Sequence, residues 1–149
     1  MDVLIFRSWD GKKMSYFNLF NVPEGARNIM VFTNVYDQCG RKIFEGDVIR
    51  YKYMCVIKRW WKDTSEAEII EREVEEQSKK YTTRYGIVQF RNGAFVIRNS
   101  LDLILLHEIT SREIVKQSRN TIADCIERWY DFEVVGNIYE NPELVEKVV

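Results

Sequence analysis

The chain has 149 residues, of which 46% are hydrophobic and 30% are charged, and its formal net charge is −1. This length fits one domain, and eight Phe, eight Tyr and four Trp supply enough apolar surface for a core, which excludes a disordered chain. A charge so close to balance excludes the global electric field that marks many proteins binding nucleic acids or membrane surfaces.

The first third of the chain predicts short strands joined by tight turns. Residues 3–8 and 14–20 are β-rich and flank Asp10-Gly11, a hairpin signal because glycine accepts the positive φ of a type I′ turn. A second β-rich run covers Asn28–Val35. Asp37–Gly40 then has Asp first and Gly last, the pattern of a β-turn.

A long strand and a helical arm are predicted next. Val48–Ile57 is the longest β signal in the chain, and Gly46 is expected to bend the backbone before it. Ser65–Glu68 reads as a capping box, with acidic residues in the following turns and Lys79-Lys80 at the end, as a helix dipole favours. We therefore predict an inserted helical arm over about residues 60–84.

The rest of the chain mixes strand and helix signals. Strands on both sides of Asn92-Gly93 form the clearest predicted hairpin. Thr110–Glu113 repeats the capping-box pattern, and apolar residues recur at helical spacing between residues 122 and 129, so helices are predicted in an enlarged segment over about 101–131. A last strand carries a glycine interruption at Gly136, and Pro142 is suited to begin a helical turn.

These elements predict a mainly β fold, with a small barrel-like antiparallel sheet as its core and helical insertions that give it an α+β appearance. Residues 1–149 are expected to form a single domain. The three cysteines, Cys39, Cys55 and Cys125, include no CxxC pair and suit a reducing compartment, so we expect neither a metal nor another cofactor. No signal peptide or membrane span is expected, which predicts a soluble cytoplasmic protein with no membrane partner.

Four segments resemble one protein family. They are the amino-terminal phrase Phe6–Asp10 with Met14, the central phrase Asp37–Ile49, the hairpin Tyr85–Ile97 and the carboxy-terminal phrase Val134–Leu144. Together they are similar to YopX proteins of bacteriophages and prophages. The resemblance implies a mainly β fold and a phage origin in a bacterial host cell, and it implies no established activity. Thr33-Asn34-Val35 departs from the Thr-Gly-Leu usual in the family, but Asn also accepts left-handed backbone conformations.

The best candidate site lies on the flanks of the predicted arm, where cations are interleaved with aromatic residues. Cations can meet phosphates and aromatic rings can stack on bases, which is what single-stranded nucleic-acid binding requires. The alternative interpretation is a strand whose cations form its wet face, next to an arm with seven acidic residues, and a structural role is favoured about two to one. The candidate partner-binding residues are Lys58, Arg59, Trp60, Trp61, Lys62, Lys79, Lys80, Tyr81 and Arg84.

The same residues fit other kinds of partner. Adjacent Trp60 and Trp61 beside a charged segment resemble the aromatic anchors of protein interfaces, although both could instead cover the mouth of the barrel. Self-association through the arm would give a homo-oligomer. The prediction is therefore a non-catalytic binding protein whose partner, a protein or a nucleic acid, the sequence does not identify.

An enzyme is the least favoured interpretation. Glu45 and Asp47 are two residues apart and could act as an acid–base pair, with His107, the single histidine, as a base in a small hydrolase. A Glu-Gly-Asp sequence entering a strand is more often turn chemistry, and no nucleophile lies beside His107 in the sequence. No catalytic residue is therefore predicted.

Overall fold

The computed structural model describes residues 4–61, 67–71, 82–119 and 122–148. The fold is mostly β, with 60% strand and 9% helix, as the sequence predicts. Two antiparallel sheets account for the described strands. In chain order the elements are β1 (Ile5–Trp9), β2 (Met14–Asn18), β3 (Ile29–Tyr36), β4 (Lys42–Phe44), β5 (Asp47–Trp61), β6 (Ala67–Glu71), β7 (Arg84–Arg91), β8 (Ala94–Arg98), β9 (Leu103–Leu105), α1 (Leu106–Ile109), β10 (Glu113–Arg119), β11 (Ile122–Asn137) and a 3₁₀ helix (Pro142–Val148).

The first sheet has four strands in the order β2-β1-β3-β4. The predicted hairpin at Asp10 is confirmed, although its loop has four residues rather than two. The Asp10 carboxylate accepts the backbone N–H groups of Lys12 and Lys13 at 2.7 and 2.8 Å, and Gly11 has a φ of 101°. Asn34 has a φ of 66°. It therefore adopts the left-handed conformation expected where the family usually has glycine.

The second sheet is a curled half-barrel in the order β10-β11-β5-β7-β8-β9. β5 and β11 pair along almost their full length, from Asp47 opposite Asn137 to Trp61 opposite Ile122. The register shifts between Val134 and Gly136, which confirms the predicted interruption. On its other side, β5 pairs first with β7 and further along with β6. β5 is therefore the central strand of the molecule.

Three further turn predictions are confirmed. Asn92 and Gly93 have φ values of 51° and 84° between β7 and β8, as a type I′ turn requires. Gly46 has a φ of 86° where the chain bends into β5, and Pro142 begins the 3₁₀ helix. At each of these positions, the backbone conformation is determined by the residue that occupies it.

The helices predicted for the arm and for the segment after residue 110 are wrong where the structure describes those residues. Ala67–Glu71 is strand β6, whereas Ser65 and the remainder of the predicted arm at 62–66 and 72–81 lie outside the described residues. The segment predicted to be helical after residue 110 is instead β10, and the helical spacing after residue 122 belongs to β11. Their capping boxes are local signals, and antiparallel pairing of β6 with β5 and of β10 with β11 overrides them.

The hydrophobic core lies around the first residues of β5 and the neighbouring strands β7 and β8. Ile43, Ile49, Val88 and Ile97 are completely buried, and Leu106, Ile109, Phe132 and Tyr51 pack with them. Ile43 belongs to the first sheet and Ile49 to the second. The core is therefore shared by both sheets, and it positions their loops relative to each other.

Backbone hydrogen bonds fasten the two sheets where the chain passes from β4 to β5. The Gly46 N–H donates to the Val88 carbonyl at 2.8 Å, and the Gly46 carbonyl accepts the Ile138 N–H at 3.0 Å. Nearby, the Asp37 carboxylate accepts the N–H groups of Arg41 and Val134 at 2.8 and 2.9 Å. The central and carboxy-terminal phrases noted in the sequence therefore meet at this junction.

Candidate functional site

The predicted cations Lys58 and Arg59 lie in the second half of β5, where acids of β11 neutralise their charges. The Lys58 ammonium is 3.7 Å from a Glu127 carboxylate oxygen. Arg59 donates to both oxygens of Asp124, from Nε at 2.8 Å and from Nη2 at 3.4 Å. Bidentate pairing of a guanidinium with a buried carboxylate fixes its geometry and cancels most of its field.

The same pairing of cations with acids continues along β5 toward its first residue, Asp47. Arg50 forms an ion pair with Glu133 of β11, and Lys52 lies directly opposite Asp131. Ion pairs exposed to water contribute little to stability, but they leave little net charge on a surface. The cations of β5 therefore lie opposite or beside acids of β11, and the ladder carries charges of both signs.

The predicted residues do not form one surface. Lys58 and Arg59 are consecutive in β5, so their side chains point to opposite faces of the sheet. Trp60 and Trp61 belong to the end of β5, opposite Ala123 and Ile122. Arg84 lies opposite Tyr51 of β5. Since Tyr51 precedes Lys58 by seven residues, Arg84 is about 20 Å from Lys58 along the strand direction. Arg84 forms an ion pair with Asp102 at 3.3 Å. Three predicted cations and one aromatic residue lie outside the described residues: Lys62, Lys79, Lys80 and Tyr81.

A polar network that the sequence did not predict surrounds Tyr51. Its hydroxyl donates to Asp102 at 2.7 Å and accepts a hydrogen bond from the Asn99 amide at 2.8 Å. Burial, together with the hydrogen bond to the Asp102 carboxylate, raises the Tyr51 pKa well above its ordinary value. The hydroxyl therefore stays protonated at neutral pH. It holds the loop between β8 and β9 against β5.

A cleft of about 530 Å³ opens between the two sheets. Its volume is in the range of small-molecule sites, but its base is closed by a buried ion pair between Arg7 and Asp47, whose Nη2 and Oδ1 atoms are 2.6 Å apart. Tyr16 and Phe44 form part of its wall, with their ring centroids 5.6 Å apart. The charged groups at its base are thus already engaged with each other.

Both oxygens of Asp47 are hydrogen-bonded to neighbouring groups. Its second oxygen accepts the Phe44 N–H at 2.8 Å, and Arg7 donates additionally to the Glu45 carbonyl at 3.2 Å. Burial raises the pKa of Asp47 to about 6, although the Arg7 guanidinium and the Phe44 N–H act in the opposite direction. This carboxylate therefore serves the junction between the sheets.

The residues of the proposed hydrolase occupy different settings. His107 is exposed on α1, and no hydrogen bond in the described part of the chain joins it to Glu45 or Asp47. Glu45 lies in the turn before β5, where its N–H donates to the Val31 carbonyl at 3.0 Å. Each Asp47 oxygen already accepts one hydrogen bond, one from Arg7 and the other from the Phe44 N–H.

A second surface, missed by the sequence analysis, is the outer edge of β2 with the turn after it. Tyr16 is 61% exposed, Leu19 is 60% exposed and Phe20 is 92% exposed. Of the eleven large hydrophobic side chains that are exposed among the described residues, seven lie between residues 4 and 36. The signal for this surface was the uncharged run from Met14 to Val22, which the sequence analysis used only to predict a strand.

The described residues contain neither a metal-binding cluster nor a membrane-spanning helix. No three His, Cys, Asp or Glu side chains within residues 4–61, 67–71, 82–119 and 122–148 are grouped so that they could hold a metal ion. Over the same ranges, no helix has the length and apolar character needed to cross a membrane.

Fold and site together define a two-sheet β protein whose prominent surfaces are an ion-paired ladder and an apolar edge. Among protein families, the model described as YopX protein matches residues 59–146, which is more than half of the chain. The protein belongs to the YopX family. The hairpin Tyr85–Ile97 and the phrase Val134–Leu144 lie inside the matched range, whereas the phrases Phe6–Asp10 and Asp37–Ile49 precede it. Neither the curated proteins nor the solved structures contained a match.

Proposed function

We propose that this YopX protein is a non-catalytic accessory protein of a phage or prophage, acts in the cytoplasm of the bacterial host and binds a protein partner. Family membership supports the phage origin, through the resemblance of its sequence phrases to phage and prophage proteins. The observation that carries the binding role is the exposed, uncharged surface formed by Tyr16, Leu19, Phe20 and Val22. Exposed large apolar side chains that follow one another along an edge strand and the turn after it are a candidate protein-binding surface.

The charge arrangement on the ladder favours a protein over a nucleic acid. Binding to a phosphate backbone depends on cations that exchange small counterions for phosphates. Lys58 and Arg59 are already paired with Glu127 and Asp124, and Arg84 is paired with Asp102. A phosphate group would have to compete with these carboxylates and would be repelled by them.

Photo-crosslinking inside the bacterial cells that produce the protein tests both interpretations. Benzoylphenylalanine placed at Phe20 should form a discrete adduct with a protein, because this ring is 92% exposed on the apolar surface. The same group at Leu101, which is 76% exposed on the loop before β9, is the matched control and should form none. Absence of a protein adduct at position 20 would overturn the proposal.

A titration in solution tests the nucleic-acid alternative directly. Fluorescence anisotropy with short single- and double-stranded DNA and RNA, at low and physiological salt, should show no saturable binding. Binding that weakens steeply as salt rises would instead place phosphates on the protein. That result would replace the proposed protein partner with a nucleic acid.

A further inference from the structure

The edges of the two sheets differ in how they are protected from pairing with another strand. β4 and β9 have three residues each, and β9 continues directly into α1. β10 carries Glu113 and Lys116 and β6 carries Glu68 and Glu71, and charges of this kind discourage the addition of a further strand. Each of these four edges therefore has one of the usual forms of protection.

β2 has none of these protections. Its five residues, Met14–Asn18, include no charge and no proline, and the uncharged run continues to Val22. β2 pairs with β1 on one side, residue for residue and without a bulge. Within the described residues, no backbone hydrogen bond joins Met14–Phe17 to the loop at 19–28. At the end of the strand, the Asn18 N–H donates to the Asn21 side-chain oxygen at 2.7 Å, and the Asn18 carbonyl accepts the Asn21 N–H at 3.3 Å. Among the described residues, the outer backbone groups between Met14 and Phe17 are therefore open to a further strand.

We propose that β2 pairs with β2 of a second copy of this chain, in an antiparallel ladder centred on Tyr16. This inference rests on the proposed protein-binding function and names the partner. A two-fold axis through such a ladder places Tyr16 opposite Tyr16, Met14 opposite Asn18 and Ser15 opposite Phe17. In this register Asn18 exchanges its two hydrogen bonds to Asn21 for bonds to Met14 of the other copy. The two four-stranded sheets would then form one continuous eight-stranded sheet.

The charges on both sides of β2 favour a second copy as the occupant. In the register centred on Tyr16, the nearest charged residues, Lys12 and Lys13, lie opposite Phe20 and Leu19 of the other copy. No like charges therefore face each other, and the ammonium groups approach apolar or aromatic side chains. Phe20, the most exposed large hydrophobic side chain described, would be covered by the same contact.

Sedimentation equilibrium of the full chain tests the pairing because Tyr16 is its own partner in this register. The wild-type protein should dimerise between about 1 and 200 µM. Tyr16→Lys places two ammonium groups opposite each other, and Tyr16→Glu does the same with carboxylates, so each variant alone should dissociate at least tenfold more readily. An equimolar mixture of the two variants should regain the dimer. Leu101→Lys is the control and should dimerise like the wild type.

Each result decides the proposal. A monomeric wild type, a Tyr16→Lys dimer of unchanged affinity, or a mixture that stays monomeric would each overturn pairing centred on Tyr16. Amide hydrogen exchange on the wild-type protein gives a measurement that does not depend on folded variants, since amides within Met14–Asn18 should exchange more slowly as concentration rises. A monomeric protein that still forms an adduct with another protein at position 20 would remove self-pairing and leave the proposed function intact.

Discussion

Arg7 of β1 and Asp47 of β5 form a buried ion pair that links the first sheet to the second, with Nη2 and Oδ1 2.6 Å apart. The Arg7 guanidinium also lies 4.7 Å from the centroid of the Phe44 ring. Two of the phrases by which the sequence resembles YopX proteins, Phe6–Asp10 and Asp37–Ile49, thus contribute one partner each. Their shared role in this chain is to hold two sheets together.

Removal of either partner of this pair should destabilise the protein strongly. Arg7→Met or Asp47→Leu leaves the other charge buried without its counterion, and each should lower the free energy of unfolding by about 3–5 kcal/mol. The double variant Arg7→Met/Asp47→Leu should cost clearly less than the sum, because it leaves no buried charge. Urea denaturation of the four proteins measures this cycle.

The pair between Arg50 and Glu133 is the control for that cycle, because the Arg50 side chain is 48% exposed. Its alanine variants should each cost no more than about 1 kcal/mol. Equal losses at the two pairs would show that burial does not distinguish them, and would contradict the role assigned to Arg7 and Asp47.

The two sheets should also respond to pH through Asp47. Burial raises its pKa from 3.8 to about 6, so between these values the folded protein binds more protons than the unfolded chain. The contribution of this carboxyl to stability therefore falls as pH rises from about 4 to 6 and is constant above that window. Asp10 is the internal reference, since hydrogen bonds from the N–H groups of Lys13 and Lys12 lower its pKa.

Carbon-13 NMR of the aspartate carboxyl groups measures this order. Asp47 should titrate near pH 6, and Asp10 should titrate below 3.8. Asn in place of Asp47 should remove the fall in stability between pH 4 and 6. A titration of Asp47 at or below that of Asp10 would show that the Arg7 guanidinium outweighs burial.

Turns were predictable from the sequence because each depends on the residue that occupies it. Gly46, Asn92 and Gly93 adopt positive φ in the structure, and Asn34 does so where the family usually has glycine. Pro142 begins a helical turn because its fixed φ suits that position. No information from distant parts of the chain was needed at any of these positions.

The strands mistaken for helices were not predictable in the same way. The capping-box pattern at Thr110–Glu113 and the helical spacing after Ile122 are local signals, whereas β10 and β11 exist because they pair with each other and β11 pairs with β5. That pairing joins residues separated by more than sixty positions, such as Arg59 and Asp124. Local propensity is a weak prior against a ladder of this length.

The candidate site shows the same limit. The cations of β5 were visible in the sequence, but Glu127 and Asp124 could not be assigned to them before the register of β11 was known. In the other direction, the uncharged run from Met14 to Val22 was present in the sequence, but its exposure depends on β2 lying at an edge. The charge of the β5 cations and the apolar character of residues 14–22 were predictable from the sequence. The acids that pair with those cations, and the exposure of that apolar run, depend on the strand order and register.

The acids of β11 should suppress nucleic-acid binding by the cations of β5, on whichever face of the sheet each cation lies. Replacing Asp124 with Asn and Glu127 with Gln removes two negative charges beside Lys58 and Arg59. The double variant should therefore gain salt-sensitive affinity for a short single-stranded DNA, measured by fluorescence anisotropy at low ionic strength. The matched control, Glu140→Gln with Glu146→Gln, changes the net charge equally but lies at the C-terminal end and should gain less.

A gain of the same size in both double variants would mean that net charge alone governs the binding. No gain in either would contradict the idea that the carboxylates on β11 mask cations able to hold a phosphate backbone.

Gly86 on β7 should resist substitution because the core leaves no room for a side chain there. A Cβ at this position would overlap Cγ2 of Ile97, and it would lie 3.3 Å from the Arg98 carbonyl oxygen. Gly86→Ala should lower the free energy of unfolding by about 1–3 kcal/mol, as overpacking of a filled core does. Ile97→Ala removes the overlapping carbon, so the double variant should lose less stability than the sum of the single losses.

Gly93 provides the control for this steric argument, because a Cβ there would meet no atom within 4 Å and only its φ of 84° is unfavourable. Gly93→Ala should cost about 1 kcal/mol from backbone strain, and combining it with Ile97→Ala should give additive losses. Urea denaturation of both series separates the two causes. Additive losses for Gly86→Ala and Ile97→Ala would show that β7 and β8 move apart to admit the methyl group, and that the core between them is less tightly packed than the structure indicates.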